Sequence, residues 1–118
     1  MRFGFHLFMV DPDQHLDIAR TADDCGWDSI QVADSPFFPE TISVPYPYTP
    51  DGTRFWPLDM PVLDPWVAIT AMAVVTRRIR FLPSVLRLAI RQPLLEAKSL
   101  CSVAAIANDR VALGVGLA

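Results

Sequence analysis

Apolar positions along this chain alternate between short continuous runs and stretches with helical spacing. Arg2–Phe8 (Arg-Phe-Gly-Phe-His-Leu-Phe) reads as a short buried strand, and Trp27–Ala33 reads as a second. Between them Leu16, Ile18, Ala19, Ala22 and Cys25 form the apolar face of a helix, while Asp13, Asp17, Arg20 and Asp24 stay solvated. Asp11-Pro12-Asp13-Gln14 starts that helix: Asp11 suits the N-cap, Pro12 the first helical position, and Gln14 a capping-box pattern. Gly26 is the expected stop. Asp64-Pro65 repeats the device and opens a second helix through Trp66, Ile69, Met72, Ala73 and Val75, with Arg77-Arg78 complementing its dipole.

The last forty residues organise the rest. Ile79-Arg80-Phe81-Leu82 leads through Pro83 into Ser84-Val85-Leu86, and Arg91-Gln92-Pro93 opens a third helix to about Ala107. That helix is expected to bury Leu94, Ala97, Leu100, Cys101, Ala104 and Ala105. Asn108-Asp109 closes it, and Arg110–Gly116 follows as another apolar run. Two runs joined by such a helix form a right-handed parallel βαβ unit rather than a hairpin. The order is therefore β-α-β-(loop)-α-β-α-β, with all strand C-terminal ends on one face.

Residues 36–63 differ in character. Seven prolines fall between Pro36 and Pro61, interleaved with Phe37, Phe38, Tyr46, Tyr48, Phe55 and Trp56. That composition forbids a regular helix and predicts a long ordered loop, a lid over the end of the second strand. Composition changes the picture only by exclusion. A net charge of -3 gives no reason to expect nucleic acid or an anionic membrane. The longest apolar stretch, Trp66–Val75, is too short to span a bilayer. Asp11 and Asp13 come too early for a secretory signal, so a cytoplasmic protein is expected. Cys25 and Cys101 suit buried helical thiols, and neither histidine has partners at metal-ligand spacing.

The strand and turn sequences resemble the N-terminal half of the luciferase-like monooxygenase family of flavin- and deazaflavin-dependent oxidoreductases. The match lies in Met-Arg-Phe-Gly-Phe at strand one, Val32-Ala33-Asp34 at the end of strand two, and Pro83-Ser84-Val85-Leu86 with Arg91-x-Pro93 and Ala97-Lys98. It ends in Asn108-x-Arg110-x-x-x-Gly114-Val115-Gly116. Their order and spacing together are specific where any one alone is weak. The resemblance implies a (β/α)8 TIM barrel. A barrel of about 250 residues makes residues 1–118 an N-terminal half of one domain, a fragment with about four parallel strands and three helices. It implies an oxidoreductase that uses coenzyme F-420 (a deazaflavin) or FMN on a small-molecule substrate. Raw strand edges imply a homo-oligomer or dependence on the missing half-barrel. The alternative is a non-catalytic half-barrel that folds by association. A doubly wound nucleotide-binding domain ranks last, because Phe8-Met9-Val10-Asp11 stands where a Gly-rich turn belongs.

The same resemblance assigns roles. Asp34 becomes a contact to the isoalloxazine or deazaflavin ring, and Ser35 the adjoining catalytic position, where sugar-phosphate dehydrogenases of the deazaflavin branch carry histidine. Read alone, Asp34 is equally a cap or turn former before Pro36. Ser84 and Val85 match the place of a non-prolyl cis peptide that backs the ring. Arg87, with Arg91, could meet a phosphate-bearing cofactor tail, the alternative being solvated loop charges. Gly114 and Gly116 allow close approach of a ring or phosphate, or else serve barrel packing. Leu117 and Ala118 occupy cofactor-binding positions of relatives. His6 is the histidine expected to face the barrel mouth, catalytic or simply hydrogen-bonded in the core. His15 is expected at the surface.

Overall fold

The structure is a computed structural model and describes residues 1–116. Gly4–Leu7 (β1), Ser29–Val32 (β2) and Arg80–Pro83 (β3) form a parallel sheet in the order β1-β2-β3. His15–Asp24 (α1), Pro65–Ala73 (α2) and Pro93–Ile106 (α3) return the chain. Leu86–Arg87 (β4) pairs in parallel with Val115–Gly116 (β5). The alternation of parallel strands and helices is the N-terminal portion of a TIM-type barrel.

Capping residues set the helix boundaries where the sequence places them. The Asp64 carboxylate accepts from the Trp66 and Val67 amides at 2.9 and 3.3 Å, with Pro65 at the first helical position. Gln92 does the same for α3 through the Leu95 amide, 2.8 Å away. Asp11 opens a single 3-10 turn, Pro12–Gln14, ahead of α1. Gly26 (φ 81°) follows α1, and Asn108 and Asp109 follow α3 in the left-handed region that Asn and Asp tolerate.

Register puts Phe5, Ile30 and Phe81 in one row and His6, Gln31 and Leu82 in the next, on opposite faces of the sheet. Ile30 and Phe81 are fully buried against Ile69, Met72 and Ala19, so the helices cover that face. The His6–Gln31–Leu82 face is not closed over: His6 is exposed and the other two half-buried. It corresponds to the interior of a barrel.

Five expectations are corrected. The fourth strand pairs only in patches: Val111 bridges Phe81, and pairing resumes at β5. Pro83 has no N–H to offer, and the turn at Ser84–Val85 splits strand three into β3 and β4. The α3 helix is rotated from its expected face. It buries Glu96, Val103 and, just beyond its end, Ala107, while Leu94, Ala97, Cys101 and Ala105 are exposed. The helix is apolar on both sides, so its fixed point is polar: Glu96 must reach the indole N–H of Trp66 and the guanidinium of Arg91. His15 is buried, with Nε2 3.2 Å from the Val10 carbonyl. Both cysteines are exposed free thiols.

Two charged residues close the N-terminal ends of the strands. Asp23, buried on α1, accepts from the amides of Arg77, Arg78 and Ile79 at 2.8, 3.0 and 2.7 Å. Burial alone would raise its pKa; the three amides and the Arg78 guanidinium outweigh burial and hold it below the usual carboxylate value. Arg110 donates to carbonyls of Ala73, Thr76, Ile79 and Ala107 and stacks over Phe81. It thereby supplies the cation at the end of α2 that was expected from Arg77-Arg78, whose amides serve Asp23 instead. No helix among the described residues is long and apolar enough to cross a membrane.

Candidate functional site

At the C-terminal ends of β1, β2 and β3 the chain passes into turns whose residues converge. His6 from β1, Asp34 and Ser35 after β2, and Ser84, Val85 and Arg87 around the strand-three turn line one open cleft of about 450 Å³. The Ser84–Val85 peptide bond is cis, as the resemblance implies. His6 Nε2 lies 3.4 Å from the Ser84 carbonyl oxygen, which ties β1 to this turn.

Asp34 is almost wholly buried, with its carboxylate taken up by protein. Oδ2 accepts from the Arg87 amide at 2.9 Å and from Arg91 Nε at 3.3 Å; Oδ1 accepts from Arg91 Nη2 at 2.7 Å. The carboxylate thus caps no local turn before Pro36; it ties the end of β2 to residues 53 and 57 positions further along the chain. Arg91 is correspondingly no solvated loop charge. Its guanidinium also pairs with Glu96 at 3.2 Å and Asp64 at 3.5 Å, so one cation joins the end of β2 to the starts of α2 and α3. The Asp34 hydrogen bond and the surrounding carboxylates raise the Arg91 pKa, keeping it charged throughout.

Arg87 differs from Arg91. Only its backbone serves Asp34, and its half-buried guanidinium has no hydrogen-bond or ion-pair partner among the described residues. It stands where the aromatic-lined cleft meets a second, of about 760 Å³, walled by Phe37, Val62, Leu63 and Ile90. Ser35 lines both clefts, and among the described residues its hydroxyl has no hydrogen-bond partner.

Gly114 and Gly116 are held by packing. A Cβ at Gly114 would overlap the Pro83 carbonyl oxygen, and one at Gly116 would overlap the Val85 side chain. The two glycines let the last strand lie directly against the Ser84–Val85 turn, with the Leu86 amide bonding the Gly114 carbonyl at 2.7 Å. Leu117 and Ala118 lie outside the described residues. Among the described residues no three His, Cys, Asp or Glu side chains are grouped to hold a metal.

The family model for luciferase-like monooxygenases matches residues 3–117. The chain belongs to that family. An uncharacterized protein of Mycobacterium tuberculosis is 40% identical over 116 residues, covering 98% of this chain and 40% of the relative. A second from the same organism is 31% identical over 117 residues, 98% of this chain and 42% of that protein. The chain thus spans about two-fifths of the length of these curated relatives. Among solved luciferase-like structures, the oxygenating constituent of 3,6-diketocamphane monooxygenase from Pseudomonas putida, in complex with FMN, superposes with a TM-score of 0.75. It is 21% identical, over 100% of this chain and 30% of that one. The coenzyme F-420 dependent tetrahydromethanopterin reductase from Methanopyrus kandleri gives 0.69, at 20% identity over 98% and 26%. At these identities the likeness is one of fold.

Sequence reasoning missed the Asp34–Arg91–Glu96 network and the Trp66 indole that ends it. The signal available was the one carboxylate of α3, one turn into a largely apolar helix and five residues after an arginine.

Proposed function

We propose that the cleft at the strand C-termini is the coenzyme platform of a flavin- or deazaflavin-dependent oxidoreductase whose N-terminal half-barrel is this chain. The observation that carries this reading is convergence: side chains from three separate strand ends line one cleft in a chain of this family. FMN and coenzyme F-420 are the two candidates, since relatives of the same fold carry each in their names.

The residues present fit such a group. Val85, beside Ser84, offers an apolar surface for one face of a ring and is backed by β5 through its contact with Gly116. The partnerless Arg87 guanidinium suits a phosphate of the coenzyme tail, which a planar fork can hold with two hydrogen bonds. His6 borders the ring position with one nitrogen near the Ser84 carbonyl, leaving the other to meet a ligand. Asp34 acts through others, fixing the Arg87 backbone and the Arg91 side chain. The coenzyme supplies the redox chemistry; the protein supplies orientation and binding. With no base bonded to it among the described residues, Ser35 serves as a hydrogen-bonding group rather than a proton carrier. The assembled enzyme is cytoplasmic and acts on a small molecule.

A second reading is supported by α3. Leu94 and Leu95 at the start of α3 and Ile106 at its end are 77%, 68% and 49% exposed, on a helix whose other side already packs on the core. Covering these apolar ends with the remaining barrel or another chain would favour folding by association. Titration with reduced and oxidised F-420 and with FMN, followed by fluorescence alongside solution mass, tests both readings. Saturable micromolar binding of one coenzyme is expected. A folded, monodisperse chain that binds neither would remove the coenzyme platform.

A further inference from the structure

The sheet face turned away from the helices carries polar side chains where a barrel interior is usually packed with branched apolar ones. Alternation puts Gly4, Ser29 and Arg80 in one inward row, and His6, Gln31 and Leu82 in the next. A Cβ at Gly4 would fall 2.7 Å from both the Ser29 hydroxyl and the Gln31 side-chain amide, so those two side chains lie across β1. At its N-terminal end the row opens into a cleft of about 520 Å³.

That cleft is basic. Arg2, Arg78 and Arg80 line it against a single carboxylate, that of Asp28, which already accepts the Phe3 amide at 2.7 Å. Arg78 is spent as well, its guanidinium donating to the Asp23 carbonyl. Among the described residues the side chains of Arg2 and Arg80 have no hydrogen-bond or ion-pair partner, and neither do those of Ser29 and Gln31. Arg80 belongs to the inward row itself, in register with Ser29, so whatever closes the barrel must lie over it.

A guanidinium stays charged, and enclosing it unpaired is strongly unfavourable. A second copy of this chain could not supply the counter-charge from the same face. It would set Arg2 and Arg80 against their own copies, with Asp28 already taken. The curated relatives carry further sequence, about three-fifths of their length, outside the segment matched by this chain.

We infer that this face is built for a closing half-barrel that points an Asp or Glu carboxylate inward at Arg80, and not for a second copy of the chain. The inference rests on the family fold and on the charge of the face, and stands apart from the coenzyme reading.

The test measures Arg80→Gln in two settings: the chain alone, and a chimera in which the chain replaces the matched segment of the 40%-identical Mycobacterium tuberculosis relative. Arg80 is exposed in the lone chain, so its urea midpoint should not move there. In the chimera the same change should lower the folding equilibrium constant at least about tenfold, because the facing carboxylate is left enclosed without its cation. Arg80→Lys should recover part of the loss, supplying the charge without the fork. Replacing each inward Asp or Glu of the closing half by its amide should reveal one position whose loss is large in the wild-type background and small in the Arg80→Gln background.

An equal effect of Arg80→Gln in the two settings, or none in either, overturns the inference, as does a chimera that fails to fold where the relative folds. A loss confined to the chimera but coupled to no carboxylate overturns the stated partner chemistry. The Gln31 side-chain amide signals watch for a second copy. They should not change with the concentration of the lone chain; concentration-dependent shifts would place a copy on this face and overturn its exclusion.

Discussion

The two ends of the sheet use similar charged residues to opposite effect. At the N-terminal end, Asp23 and Arg110 are spent on backbone: one carboxylate takes three amides, and one guanidinium takes the last carbonyls of two helices. At the C-terminal end, Asp34 and Arg91 are spent largely on each other. Their neighbours Arg87, Ser35 and His6 are left facing open clefts. The difference separates what holds the fold from what can serve a ligand. A charge that satisfies backbone is a structural fixture, whereas one held beside a cleft without a partner is available.

That contrast can be broken most forcefully at Arg110. Arg110→Met keeps the bulk over Phe81 but leaves carbonyls of both helix ends without a donor. It should cost about 3 kcal/mol in urea unfolding, consistent with losing several charged hydrogen bonds at a partly buried site. A cost below about 1 kcal/mol would mean water replaces it freely.

Asp23 comes next. Asp23→Ala orphans three amides and should cost about 2 kcal/mol, with Asp23→Asn recovering part of it. The pH dependence has a definite sign. The folded carboxyl titrates below its unfolded value, so the folded state binds protons less readily. Its contribution is full above an unfolded pKa of about 3.9 and is lost as pH falls through the lower folded value. Wild type should therefore lose stability in acid over that window, and Asp23→Asn should lose less; parallel acid curves would refute this. Gly114→Ala tests the C-terminal end, where the last strand lies against the Ser84–Val85 turn. Overlap with the Pro83 carbonyl should cost roughly 1–2 kcal/mol and displace the Ser84 and Val85 amide signals.

Much of this architecture is legible in the sequence because its signals are local. Asp64-Pro65, Gln92-Pro93 and Gly26 act within three or four residues of themselves, and strand runs announce themselves by composition. Motif order likewise locates the cleft at the strand C-termini. The pairings that fix both ends of the sheet were hidden by distance: Asp23 meets amides 54 to 56 residues away, and Asp34 meets an arginine 57 residues away. Periodicity could not orient α3, since apolar residues cover both of its sides. Nor could it bury His15, whose place is set by the Val10 carbonyl in the turn after β1.

The smallest expected effect on stability is also the most direct test of the division between the two ends. Arg87→Gln should be measured both for urea unfolding and for binding of FMN and F-420. An unpartnered side chain predicts unfolding within about 0.5 kcal/mol of wild type, together with at least about tenfold weaker binding of whichever coenzyme the wild type takes. Destabilisation on the scale of Arg110→Met, or coenzyme binding unchanged by the substitution, would contradict the assignment of the C-terminal end to ligand.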